Sequence, residues 1–179
     1  MKRRIAIMIV TALMMLMMGT TAIAVAGPSV ITDAPISVVP NESFSVTFSG
    51  DYIYDLYGLS IDMSYDPALL QVDSVVLADI FNPETPTEAV AEIDNTAGTL
   101  SYCWILTGAV SGADIESLAD LITVNFTAVH CDVDATWTID ITDSSSQTLT
   151  PTGINTRILL SDSSASAISY LGEGATITL

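Results

Sequence analysis

The chain is nearly without basic residues: Lys2, Arg3, Arg4 and Arg157 stand against 21 acids. Every acid follows residue 26, so beyond that point Arg157 is the single cation. Such a surface repels polyphosphates and anionic headgroups, which excludes nucleic acid and acidic lipid as partners. Histidine and cysteine are equally scarce, with His130 alone and only Cys103 and Cys131. That set lacks the ligand spacing of a zinc site. No glycine-rich nucleotide loop, H-E-x-x-H motif or nucleophile elbow occurs, and the chain reads as a non-enzyme. With so many acids some pair always falls at glycosidase spacing, so that pattern carries no information. Helical periodicity is missing too, apart from the first 26 residues and a short stretch at Ile115 to Leu121.

What is present begins with the leader. Lys2, Arg3 and Arg4 precede an apolar run, Ile5 to Met18, and Ala24-Val25-Ala26 fits the small-residue cleavage pattern. Residues 1–26 are therefore expected to be a signal peptide, and 27–179 a single secreted, extracellular domain with no mature membrane anchor. Retention is the alternative, because Ile5 to Ala26 reaches the roughly 20 residues that span a bilayer. The acids are scattered, which suits a salt-rich medium where screening relieves self-repulsion better than it suits a cation store.

Strand-like runs recur at Ile36–Val39, Ser43–Ser49, Leu56–Tyr65, Leu70–Ala78, Ala89–Ile93, Thr99–Thr107, Leu121–Val129, Thr136–Thr142, Arg157–Leu160 and Gly174–Leu179. Their alternation and the turn signals between them predict an all-β, two-sheet β-sandwich of about nine strands. The expected core is Phe44, Val46, Phe48, Leu59, Ile61, Met63, Tyr65, Val72, Leu100, Trp104, Val124, Phe126, Trp137, Ile139 and Ile177.

The most regular stretch is Asp55 to Val72. Leu59, Ile61, Met63 and Tyr65 share one face, and Gly58, Ser60, Asp62 and Ser64 share the other. Asp66-Pro67 ends the strand, since proline cannot donate to a ladder and the Asp side chain accepts from amides just beyond it. A helical turn through Ala68-Leu69-Leu70 then leads to the next strand. An opening strand at Ile36 to Pro40, the Tyr65-Asp66-Pro67 turn, Asn95-Thr96-Ala97-Gly98, Ser111-Gly112 and Leu118 to Phe126 follow in an order and spacing that resemble a cohesin domain. The resemblance covers nearly all of residues 27–179.

It implies a jelly-roll sandwich, shared with carbohydrate-binding modules, that binds a dockerin-type partner across one sheet. On that resemblance the partner-binding face is Gly58, Ser60, Asp62 and Ser64, with Ile105 as an apolar anchor if it points outward. Tyr102, Trp104 and Leu106 make an equally good inner set, which leaves the parity of that strand open. Familiar cellulosomal members carry Asn and Asp where Gly58 and Ser60 stand. Calcium is expected on the dockerin partner, whose paired calcium loops this chain lacks, and no cofactor is expected here. The alternative is a carbohydrate-binding or adhesive module that takes polysaccharide through exposed Tyr52, Tyr54, Tyr57 and Tyr170.

Asp132-Val133-Asp134 offers oxygen ligands for calcium but reads better as a solvated turn, without the glycine and closing Glu of an EF-hand loop. Cys103 and Cys131 would persist as a disulfide after export; the sequence leaves a bridge and two thiols equally open. Asn41-Glu42-Ser43 and Asn125-Phe126-Thr127 are N-glycosylation sequons.

Overall fold

The structure, a computed structural model, describes residues 27–129, 136–141 and 153–178. Thirteen strands follow in order: β1 (Ser29–Asp33), β2 (Ser43–Asp51), β3 (Ile53–Leu56), β4 (Gly58–Ser64), β5 (Leu70–Leu77), β6 (Thr87–Asp94), β7 (Thr99–Ile105), β8 (Ala113–Ile115), β9 (Ala119–Ala128), β10 (Thr136–Ile141), β11 (Gly153–Ser161), β12 (Leu171–Glu173) and β13 (Ala175–Thr178). No helix occurs among the described residues. A five-stranded sheet, β12-β1-β2-β9-β5, packs on a six-stranded sheet, β13-β10-β11-β4-β7-β6, and β3 pairs with β8 as a small third sheet. The chain passes repeatedly from one large sheet to the other, β4 to β5, β7 to β9 and β9 to β10, which gives the expected jelly-roll sandwich.

Period-two patterning places the core. Val46 and Phe48 of β2 and Val124 and Phe126 of β9 lie fully buried on the inner side of one sheet, and Leu59 and Ile61 of β4 and Ile158 of β11 on that of the other. Each such side chain contributes roughly 1.5 to 3 kcal/mol through removal from water. Phe44 stacks on Phe126 at 5.3 Å, and Tyr65 meets the edge of Phe126 at 6.0 Å, tying β4's end to the opposite sheet. The side chains of residues 136–141, Trp137 and Ile139 among them, lie outside the described residues; every other predicted core position is buried.

The Tyr65-Asp66-Pro67 end is closed by hydrogen bonds. Asp66 accepts from Ala68 N at 2.9 Å, and its carbonyl accepts from Leu69 N and Leu70 N at 3.1 and 3.0 Å, which makes the expected turn. Asn95 clamps this end from the side: its Oδ1 accepts from Tyr65 Oη at 2.7 Å and Val72 N at 2.8 Å, and its Nδ2 donates to Val72 O at 3.0 Å. Gly98, at φ 70°, passes so close to Tyr65 O that a Cβ would overlap it. Only glycine fits that left-handed, crowded position.

Three expectations are corrected. The opening strand is Ser29–Asp33, which pairs with β2 in antiparallel register; Ile36 is 85% exposed and only Ser37 forms a lone bridge. Pro35 and Pro40 flank the segment that reads as a strand and cannot donate to a ladder. Leu56–Tyr65 is not continuous, because Asp55 adopts φ 56° and Tyr57 links β3 to β4 outside either ladder. Tyr57 N donates to Ser161 O and its carbonyl accepts from Leu106 N, so the break is satisfied by neighbouring strands. Ile115 to Leu121 forms no helical turn: Ile115 ends β8, and Ala119 and Asp120 already extend along β2.

Candidate functional site

The outer face of the six-stranded sheet is fixed by register. Gly58 lies opposite Ile105, Ser60 opposite Cys103, Asp62 opposite Ser101 and Ser64 opposite Thr99. On β4's other side the partners are Ser161, Leu159, Arg157 and Asn155. On β7's other side Val90 faces Cys103, Glu92 faces Ser101 and Asp94 faces Thr99. Cross-strand partners share a face, so three rows run across four strands: Leu159-Ser60-Cys103-Val90, Arg157-Asp62-Ser101-Glu92 and Asn155-Ser64-Thr99-Asp94.

Register settles the parity of β7. Leu100 and Trp104 are buried with Leu106 just beyond, and Tyr102 stacks on Trp104 at 5.3 Å, so the odd residues point outward. Ile105 is 38% and Val90 41% exposed. With half-buried Leu159 and Cys103 they form an apolar strip across the sheet, interrupted on β4 by the Ser60 hydroxyl. Gly58 is buried: a Cβ on it would lie 2.6 Å from Ser161 Oγ, so this position brings Ser161 close to β4 and exposes no surface of its own.

Beside the strip lies the charged row. Arg157 Nη2 meets Asp62 Oδ2 at 2.9 Å, and Ser101 Oγ donates to Asp62 Oδ1 at 2.6 Å. Both carboxylate oxygens of Asp62 are therefore occupied by its own neighbours. The only cation past residue 26 is committed to this pair, while Glu88, Glu92 and Asp94 on edge strand β6 stand exposed. Burial, and then the negative Asp62 nearby, push the Cys103 thiol above its ordinary value, which keeps it protonated and weakly nucleophilic. Among the described residues Cys103 has no disulfide partner; Cys131, and with it the cysteine pairing, lies outside the described residues, as do His130 and Asp132-Val133-Asp134.

The opposite outer face is built differently. Ser43 and Thr127 hydroxyls meet at 3.2 Å and Thr127 donates to Asp73 at 2.7 Å. Ser45 donates to Asn125 Oδ1 at 2.7 Å, and Asn125 Nδ2 donates to Ser74 at 2.8 Å. Thr47 and Thr123 meet at 3.1 Å, and Ser49 donates to Asp120 at 2.8 Å. Four rungs of hydroxyl, amide and carboxylate thus cross β2 and β9, two of them reaching β5.

The tyrosine set does not assemble. Tyr170 is buried with its hydroxyl donating to Ile158 O at 2.8 Å, and half-buried Tyr57 donates to Gly108 O at 2.6 Å. Tyr52 and Tyr54 are exposed. Among the described residues no group of three or more His, Cys, Asp or Glu could hold a metal ion.

Sequence reasoning missed Arg157 as a member of the face, because its contact with Asp62 depends on β11 pairing with β4. It also missed the acids of β6 and the clamp at Asn95. An alternating TEAVAEID segment next to the turn at Asn95 was the available signal for the former.

No curated protein matches this sequence. Solved structures do match. The third cohesin of ScaC from Acetivibrio cellulolyticus, solved with the ScaB dockerin, is 16% identical, with a TM-score of 0.61 over 85% of this chain and 98% of that one. The OlpA cohesin of Clostridium thermocellum, in complex with Doc918, is 10% identical, with a TM-score of 0.61 over 85% and 98%. A type II cohesin domain from the cellulosome of Acetivibrio cellulolyticus is 16% identical, with a TM-score of 0.59 over 84% and 95%. These likenesses show a shared fold. Residues 34–160 match the cohesin domain family model. The chain belongs to the cohesin family, a family of non-catalytic protein-binding modules.

Proposed function

We propose that residues 27–179 form a secreted receptor domain that binds a calcium-loaded, dockerin-bearing partner on the outer face of the six-stranded sheet. Ser60, Asp62, Ser64 and Ile105 lie in the contact and Gly58 beneath it. The observation that carries this reading is the contrast between the outer faces. Apolar surface at Leu159, Cys103, Val90 and Ile105 stands open on one, while on the other polar side chains satisfy one another across the central strands β2 and β9 and exposed Val76 lies on edge strand β5. Family membership supports it, as do solved relatives captured with dockerins.

Four strands at about 4.8 Å spacing make a platform about 14 Å wide, enough for a helix of about 10 Å lying across them. A standard contact buries about 800 Å² on each side, with a few central residues dominating. Because Arg157 already neutralises Asp62, the unpaired charge offered to a partner comes from Glu92 and Asp94. A partner with Lys or Arg on the flank above β6 fits that gradient, and charges at such a rim act mainly on association rate and salt dependence.

The deciding experiment is calorimetric titration with dockerin modules in calcium and then in chelator. Saturable, calcium-dependent binding that Asp62→Lys weakens without unfolding the domain is the expected result. Binding unaffected by Asp62→Lys would remove this face from the proposal, and failure to bind any dockerin would remove the partner. Polysaccharide binding abolished by substituting Tyr52 and Tyr54 would favour the adhesive reading. Export is checked separately by sequencing the N-terminus of the secreted protein, expected to begin at Gly27.

A further inference from the structure

The two N-glycosylation sequons occupy opposite structural situations. Asn41 sits in the turn Val39-Pro40-Asn41-Glu42, closed by Glu42 N donating to Val39 O at 3.1 Å. Pro40 presets the second position, and Asn41 takes the third at φ 63°, a left-handed conformation that asparagine tolerates. Its side chain is exposed, and Ser43, the hydroxyl of its sequon, is exposed at the first position of β2.

Asn125 lies in the middle of β9, which has β2 on one side and β5 on the other. Both ends of its amide are engaged, Oδ1 by Ser45 and Nδ2 by Ser74, at 2.7 and 2.8 Å. Strands about 4.8 Å away on each side deny an enzyme the room to seat this residue as an acceptor. Thr127, the hydroxyl of that sequon, donates to Asp73 and also meets the Ser43 hydroxyl at 3.2 Å, so both sequon hydroxyls are engaged and the distinction rests on the two asparagines.

We infer that Asn41 is the glycan acceptor of the folded domain and that Asn125 is not one. The donor is an oligosaccharide linked through pyrophosphate to a lipid, met after export. In the transfer the Asn41 amide nitrogen attacks the sugar's anomeric carbon, forming the N–C1 bond. The C1–O bond to pyrophosphate breaks, lipid pyrophosphate leaves with the electron pair, and the amide nitrogen gives up one proton. Asn41 precedes β2 and so belongs to the five-stranded sheet, which leaves the six-stranded face clear for a partner. The inference rests on export but not on the identity of any partner.

The test incubates the folded protein with a purified oligosaccharyltransferase and lipid-linked oligosaccharide, and maps modified peptides by mass spectrometry. Short synthetic peptides carrying each sequon serve as acceptors free of the fold. The expected result is glycan on Asn41 alone in the protein and on both peptides. Ser43→Ala should abolish the modification, while Thr127→Ala leaves it intact. Glycan on Asn125 of the folded protein would overturn the inference, as would an unmodified Asn41 in a reaction where its peptide is modified.

Discussion

The two large sheets both bury apolar side chains on their inner sides and differ in character outside. On the five-stranded sheet the outward residues of β2 and β9 are hydroxyls, amides and carboxylates that hydrogen-bond to one another in rungs. On the six-stranded sheet the outward residues Leu159 of β11, Cys103 and Ile105 of β7 and Val90 of β6 leave apolar surface beside one ion pair. Polar groups that satisfy each other gain little from a partner, since a new contact only exchanges one hydrogen bond for another. Exposed apolar surface gains directly on being covered. The molecule therefore separates a face whose central strands are satisfied by themselves, with exposed Val76 left on edge strand β5, from one whose central strands are not.

The largest expected effect follows from that separation. Ile105→Asp should reduce affinity for a dockerin partner at least about thirtyfold, corresponding to the 2 kcal/mol or more of a central interface residue. Thr47→Asp on the opposite face should leave affinity unchanged. Titration of both variants against one partner makes the comparison, and equal losses would dissolve it. Stability should show the reverse preference. Asn125→Ala removes the hydrogen bonds to Ser45 and half-buried Ser74 and is expected to cost about 1 kcal/mol, whereas Ser60→Ala should stay within about 0.5 kcal/mol. Urea denaturation of the two variants measures this.

Beneath the outer faces the sheets share a flaw, which sharpens the contrast by being symmetric. Thr32 of the five-stranded sheet and Thr156 of the six-stranded sheet each bury a hydroxyl with no hydrogen-bond partner among the described residues. Replacing either by Val keeps the shape and removes the polar atom. Each is expected to stabilise by about 1 kcal/mol, read as a higher denaturation midpoint.

The smallest effect lies where the six-stranded sheet meets the two-stranded one. Asp55 Oδ2 accepts from Ser163 Oγ and Ser163 N at 2.6 and 3.2 Å, and Oδ1 from Gly112 N at 3.1 Å. These bonds, the Ser163 hydroxyl foremost, hold its carboxyl below the ordinary carboxylate value. A depressed value means the charged form is favoured by folding. The resulting stability is fully present above the unfolded value of about 3.9 and is lost as pH falls through the lower folded one. Asp55→Asn should flatten the acid limb of a stability profile below about pH 4 and change neither outer face.

How much of this the sequence disclosed depended on the range of the interaction. The alternation of Leu59, Ile61, Met63 and Tyr65 is local, and it placed β4 and its turn correctly. Strands β1, β8 and β12 have three to five residues each, too few for a period to stand out, and they exist because longer neighbours offer unpaired edges. The outward row of β4 was legible, but not its chemistry. Asp62 reads as a free acceptor until β11 brings Arg157 beside it. Ile105 has no defined direction until it is registered against Gly58. Sites of this kind are made by pairing between strands distant in sequence, and composition carries no trace of which strand lies next to which.

The committed position of Arg157 also bears on how the domain meets a protease. Past residue 26 trypsin has one bond to cut, the one joining Arg157 to Ile158. It lies within β11, hydrogen-bonded to β4, and Ile158 is fully buried. No frayed end or loop tip of residues 27–179 offers an alternative. Cleavage then requires β11 to leave the sheet, so digestion follows the population of the opened domain. The rate at which two fragments appear would report, without any label, how often the sandwich comes apart.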